Sequence, residues 1–249
     1  MIIILIISQF ELAESLYARG YYDLAAVEYQ RVLTVGPETL ATTRRRLESA
    51  QAMIRVRPGP GIAALTQLAD EEPGIKPRVH AIIGDYFLSR ADYPAAASWL
   101  EEADDPGRLG YALLYARRPD LARRAYETCG DQAMTAEIDR FQKQPRRSET
   151  KAMVFSLVCP GAGEIYAGNI RLGVTDFLLN AGTGYLLYNA FRCKKYVDAG
   201  LIVSFLVNRF YFGSIRNARR SAEQANEKKY DRWLAAVERT YFNNAAPSK

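Results

Sequence analysis

Apolar positions in the first 142 residues recur every three to four residues, the period of helices that bury one face. Leu12, Ala13 and Leu16 form one such run, and Ala25, Tyr29, Val32 and Leu33 form the next. Gly20 sits between them where a tight turn is needed, Tyr22 opens the second run, and Pro37 ends it. The same order returns in Ile83, Gly84, Phe87, Ala91, Tyr93, Ala96, Leu100 and Ala103. A degraded middle unit is expected over residues 38–73, with one helix to Val56, a break at Arg57–Pro60 and a shorter helix over Gly61–Ala69. A fourth unit carries Gly110, Leu113, Pro119, Ala122, Tyr126 and Cys129, and residues 131–142 supply a capping helix. The pattern therefore predicts an all-α array of helical hairpins over residues 8–142.

Past a polar, basic linker at residues 143–151, broken by Pro145, the pattern changes. Three apolar blocks follow within residues 152–215: Ala152–Gly168, Leu172–Phe191 and Val197–Ile215. The second and third have the length of a bilayer-crossing helix, about 20 residues. They predict a small membrane helical domain. Each block carries polar residues, Asp176, Asn180 and Asn189 in one and Asp198, Asn208 and Arg209 in the other. Such residues are expected to face neighbouring helices. A hairpin closed around Arg192–Tyr196 would set Asp176 opposite Arg209, an intramembrane ion pair that fixes helix register. Gly200 and Ser204, four apart, favour close helix packing in lipid.

The units around Leu12, Ala13, Gly20, Tyr22, Ala25, Tyr29 and Pro37, and around Gly84, Tyr93 and Ala96, resemble tetratricopeptide repeats over about 130 residues. The resemblance implies stacked helix pairs and a concave face that takes a protein or peptide. The string Cys159-Pro160-Gly161-Ala162-Gly163-Glu164-Ile165-Tyr166-Ala167-Gly168 resembles the Pro-Gly-x-Gly-x-x-Tyr-x-Gly signature of small bacterial two-transmembrane-helix domains. That resemblance implies an apolar helix ending in a Pro160, Gly161, Gly163 turn, with Tyr166 at the membrane interface and Gly168 before the next helix. Glu164 stands where an amide is common in that pattern. No Lys-Ser/Thr follows the glycines, which argues against a phosphate-binding loop.

Charge and composition refine this picture. The net charge is +5, and the tail from Arg216 onward is rich in Arg and Lys, including the final Lys249. Residues 216–249 are expected to form a basic amphipathic tail, with Trp233, Leu234, Val237 and Tyr241 on one side, beside anionic lipid. No nucleic-acid-reading motif is present. The three cysteines, Cys129, Cys159 and Cys193, and the single His80 have no metal-ligand spacing, and no cofactor motif occurs. Residues 1–7 are apolar and read either as the remnant of a signal sequence or as a native turn on the first repeat. No catalytic constellation emerges. The function expected is a membrane-anchored interaction scaffold at the bacterial inner membrane, with the repeats in the periplasm. The alternative is a membrane enzyme or transporter component built on Asp176, Asn180 and Arg209, with Glu164 beside them.

Overall fold

A computed structural model describes residues 2–35 and 42–242, and every described element is helical. The chain divides into two compact units, residues 1–140 and 141–249. Pro37 and Lys249 lie outside the described residues.

The first unit is a run of helices, each packed on the next: α1 (Ile2–Ala18), α2 (Tyr22–Val35), α3 (Thr43–Val56), α4 (Pro58–Glu71), α5 (Lys76–Ser89), α6 (Tyr93–Leu100), α7 (Pro106–Tyr115) and α8 (Pro119–Thr128). Helix α9 (Gln132–Gln142) closes the series. Residues 2–7, read from sequence as a signal-sequence remnant or as a turn on the first repeat, are the opening turns of α1. The break expected at Arg57–Pro60 narrows to Arg57 alone. Pro58 and Pro60 lie in the first turn of α4, where a missing amide proton costs nothing because that amide has no helical partner.

Three hairpins share one packing device. A small residue on the first helix, Ala13, Gly84 or Gly110, admits a large one from the second, Tyr29, Leu100 or Tyr126, always sixteen positions later. A Cβ placed on Gly84 would lie 2.6 Å from Leu100 Cγ, and one on Gly110 would lie 2.7 Å from Tyr126. Twelve positions on, Ala25, Ala96 and Ala122 are fully buried and let the paired helices close. Seven positions on, Gly20, Ala91 and Arg117 all take left-handed backbone angles, with φ of 82°, 57° and 60°. Two of these three turns are made without glycine. The middle hairpin reverses the arrangement: there Gly61 of α4 receives the backbone of Ile54 on α3.

Of the signature positions, Ala13, Ala25, Tyr29, Gly84 and Ala96 are core, Tyr22 and Tyr93 are half-buried, and Gly20 is exposed. Tyr22 edges against Tyr17, and Tyr93 stacks on Tyr115 with ring centres 4.7 Å apart. Leu12 departs from expectation: it is exposed, and Phe10 and Ala13 fill the interior in its place. The arginine run Arg44–Arg46 is engaged locally. Arg44 bonds Glu48, Arg45 lies over the Phe10 ring, and Arg46 bonds Glu71.

The second unit is built from α10 (Glu149–Val158), the five-residue α11 (Ala162–Tyr166), α12 (Ile170–Arg192), α13 (Tyr196–Leu201) and α14 (Phe212–Val237). A wide π-helical stretch, Ile202–Tyr211, joins α13 to α14, so the third apolar block and the basic tail are one uninterrupted helix. The boundary expected at residue 215 does not exist. The linker likewise ends early, because Ser148 caps α10 by accepting from the Lys151 amide.

Among the described residues no helix is long and apolar enough to cross a membrane, which corrects the two spans expected from block length. The reason lies in composition. Asp176, Asn180 and Asn189 interrupt α12. Asp198, Asn208 and Arg209 interrupt the helix that follows it.

The sixteen-residue pairing makes a direct prediction. Gly84→Val should destabilise the protein by about 1–3 kcal/mol through overpacking. Combining it with Leu100→Ala should cost less than the sum of the single changes, because the two side chains occupy the same space. Denaturant unfolding of the four variants of this cycle measures the coupling.

Candidate functional site

The glycine motif folds into the centre of the second unit. Pro160 ends α10, and Gly161 turns the chain with φ of 94°, a region that L side chains rarely adopt. The backbone here is also crowded. A Cβ on Gly161 would lie 2.1 Å from the Gly173 carbonyl oxygen of α12, and one on Gly163 would lie 2.0 Å from the Ala152 carbonyl oxygen of α10. Helix α11 is thus clasped between α10, α12 and α14 at backbone contact, and Ala152, Ala167, Ala218 and Ala222 complete the small-residue seam. Gly168 turns the chain again before Asn169 caps α12.

Tyr166 closes the five-residue α11. Its ring packs edge-on to Phe155 and beneath the Arg147 guanidinium. Its hydroxyl accepts a hydrogen bond from the Ser148 amide, so it pins the start of α10.

The clasp encloses a polar network. Glu164 is fully buried, yet both carboxyl oxygens have donors: Ser156 Oγ at 2.7 Å and Ser214 Oγ at 3.2 Å. Those hydroxyls in turn accept from the motif's own backbone, Ser156 from the Gly163 amide and Ser214 from the Gly161 amide, both at 3.0 Å. Asp176 on α12 accepts from Asn217 Nδ2 at 3.0 Å. Asn180 donates to the Asp176 carbonyl and to the Phe210 carbonyl in the π-helical stretch. Burial first, then a hydrogen bond to the Asp176 carboxyl, raise the Glu164 carboxyl above its usual range.

Asp176 and Arg209 are not paired. Asn217 takes the place expected for the arginine, and Arg209 is exposed on the π-helical stretch. The wider helix there shifts register relative to the regular helix assumed from sequence. Gly200 has no atom within 4 Å of where a Cβ would stand, so the Gly200–Ser204 pair makes no close packing. The carboxyl-centred network of Ser156, Glu164, Ser214 and Asn217 is the part missed from sequence. Its signal was present in Glu164 itself, an acid in the middle of an apolar, glycine-rich string.

Helix α12 is inverted relative to a helix packed in water. The stripe turned inward is Gly173, Asp176, Thr183 and Ala190, with Asn180 half-buried between them. The residues turned outward are Val174, Phe177, Leu178, Tyr185, Leu186, Tyr188 and Phe191, all exposed. Val154, Phe155 and Leu157 of α10 are exposed as well, as are Val197, Leu201, Val203 and Phe205 beyond the hairpin.

In the first unit, a groove of about 410 Å³ opens among α6, α7 and α8, lined by Ala97, Leu109, Leu113 and Leu121 with Arg118 and Arg124 at its polar parts. A smaller one, about 220 Å³, opens among α2, α3 and α4 beside Leu33, Met53 and Arg46. His80 is buried edge-on to Trp99, with Glu102 3.5 Å from Nδ1, and the three cysteines are exposed and far apart in sequence. Among the described residues no group of three or more His, Cys, Asp and Glu side chains gathers for a metal ion.

Comparison with known protein families, curated proteins and solved structures returns no match for this chain. What fold and site define is an all-α protein in which an array of helical hairpins precedes a glycine-clasped helical unit.

The buried carboxyl gives a pH prediction with a definite sign. A carboxyl raised by folding favours the folded state at low pH, where it is protonated in both states. That contribution is complete below the unfolded value of 4.5 and is lost as pH rises through the raised folded value. Thermal melts in mild detergent should show the second unit losing stability as pH rises above 4.5. Glu164→Gln should flatten that dependence.

Proposed function

We propose that this protein is a non-catalytic scaffold held at a membrane, whose hairpin array recruits a protein or peptide partner. The observation that carries the anchoring half is the inversion of α12, with polar side chains inward and large apolar ones outward. In water such a face is an aggregation liability. In lipid it is the favourable arrangement, because the polar groups find partners inside and the apolar groups meet acyl chains. Since no described helix qualifies as a crossing span, the reading is of a hairpin of α12 and α13 embedded through its apolar outer side. Aromatic Tyr185, Tyr188 and Tyr196 and basic Arg192, Lys194 and Lys195 near the hairpin turn suit a polar boundary. The tetratricopeptide-like reading of the first unit is supported by the recurring small-large pairing, and its grooves, which mix leucines with arginines and other polar residues, suit an extended amphipathic peptide.

A membrane enzyme or transporter built on Asp176, Asn180 and Arg209 is the second reading. The network offers it less. Glu164 and Ser156 are sealed from solvent, their hydrogen bonds are internal, and Arg209 lies outside the cluster. A catalytic group must reach its substrate directly or through one water.

Leu178 is 62% exposed on the outer face of α12 and tests the anchoring. If that face meets lipid, Leu178→Lys should cost up to about 3 kcal/mol of insertion and shift the protein from the carbonate-resistant to the soluble fraction. If the face meets water, the change should stay within about 0.5 kcal/mol and alter no partitioning.

A further inference from the structure

The second unit contains a cationic cleft that borders the glycine clasp at Tyr166, Ala167 and Gly168. It is open to solvent, spans about 1220 Å³ and is lined by Arg146, Arg147, Lys151, Lys228, Lys229 and Arg232, with no carboxylate in its wall. Tyr166 stands in its wall beneath the Arg147 guanidinium, the buried Trp233 borders it while stacking on Phe141, and Gly168 and Asn169 bring the positive end of α12 to its edge. The cations do not sit there by accident of a floppy linker. Asn226 on α14 straps the Arg147 backbone from both sides, donating to its carbonyl and accepting from its amide at 2.8 Å each. Lys229 Nζ donates to the Pro145 carbonyl at 2.8 Å. The Arg147 guanidinium is held 5.2 Å from the centre of the Tyr166 ring, whose hydroxyl is itself fixed to the Ser148 amide.

We propose that this cleft binds the phosphate-bearing headgroup of an anionic phospholipid. Six like charges around one cavity repel each other and stabilise whatever anion fills it. Arginine forks match phosphate oxygens in pairs, and lysines add point charge. The cleft is at least as roomy as the roughly 300–1,000 Å³ of common small-molecule sites, far more space than a lone phosphate fills, and it suits a larger headgroup. The lipid source, rather than free phosphate, follows from what adjoins the cleft. Apolar exposed residues begin one turn beyond Lys151 on α10, at Val154, Phe155 and Leu157, and immediately beyond Asn169 on α12, at Ile170 and Val174. A headgroup in the cleft thereby leaves its acyl chains a continuous apolar path along the same helices. This assignment rests on the membrane-embedded reading of the second unit.

Lys151 and Lys228 are exposed, and among the described residues neither ammonium group makes a hydrogen bond, so Lys151→Gln/Lys228→Gln removes charge without removing a strap. The full chain, purified in detergent, is challenged with equal phosphatidylglycerol and phosphatidylcholine and read by native mass spectrometry. Vesicle flotation and a thermal melt are run in parallel. The expected result is retention of phosphatidylglycerol over phosphatidylcholine, with that preference falling about tenfold or more in the double variant. The variant should still float and melt as the parent does. No preference in the parent, or an unchanged preference in the variant, overturns the proposal. Displacement of bound phosphatidylglycerol by millimolar inorganic phosphate also overturns it, by assigning the cleft to a soluble anion. Failure of the parent to float would instead count against membrane embedding, whatever the cleft binds.

Discussion

The second unit depends on backbone touching backbone. At Gly161 and Gly163 the chain of α11 comes so near to α10 and α12 that even a methyl group would overlap a carbonyl oxygen. That proximity creates a need: the amides of Gly161 and Gly163 lie buried away from water, and a buried donor without an acceptor is costly. Ser214 and Ser156 meet it, and their hydroxyl protons then require an acceptor, which is Glu164. The acid in the motif is thus the end of a hydrogen-bond chain that starts at the glycines. An amide at this position would still offer one acceptor oxygen, whereas the acid offers two to two hydroxyls.

From that clasp the arrangement of α12 follows. Gly173 is fixed at its inner face by the Gly161 contact, so the residues one, two and three turns further along the same stripe must also face inward. These are Asp176, Asn180 and Thr183. Asp176 and Asn180 find partners, Asn217 and the Phe210 carbonyl, on the helix that returns alongside, while Thr183 donates to the Leu179 carbonyl of its own helix. With polar residues committed to the interior, the larger apolar side chains have only the outside. The unusual surface is a geometrical consequence of where one glycine is anchored. On our reading lipid meets that surface, and the cationic cleft beside it meets the headgroup layer.

Much of the first unit was readable from sequence because its helices are amphipathic and its turns carry steric signals. Ala13, Ala25, Tyr29, Gly84 and Ala96 fall where their size and spacing place them. Leu12 did not, since size alone cannot tell which of two adjacent apolar residues points inward. Ala91 and Arg117 adopt left-handed turns that no glycine announces. In the second unit the motif was visible but its purpose was not. Glycines say that something comes close, and only the fold says that Gly173 and Ala152 are what come close. The Asp176–Arg209 pairing failed because charge complementarity was projected through a regular helix, while the chain from Ile202 to Tyr211 is wound more widely. Block length suggested membrane spans where polar residues deny the helices the necessary apolarity.

The most direct measurement of the central claim is a nitroxide accessibility scan along α12 in lipid vesicles, with single cysteines from Val174 to Phe191 in a chain whose own three cysteines are replaced. The account predicts that labels at Val174, Phe177 and Leu178 collide readily with oxygen and poorly with a water-soluble nickel complex. Labels on the stripe of Asp176, Asn180 and Thr183 should be shielded from both. High accessibility to the nickel complex at the outward positions would place that face in water and contradict the account.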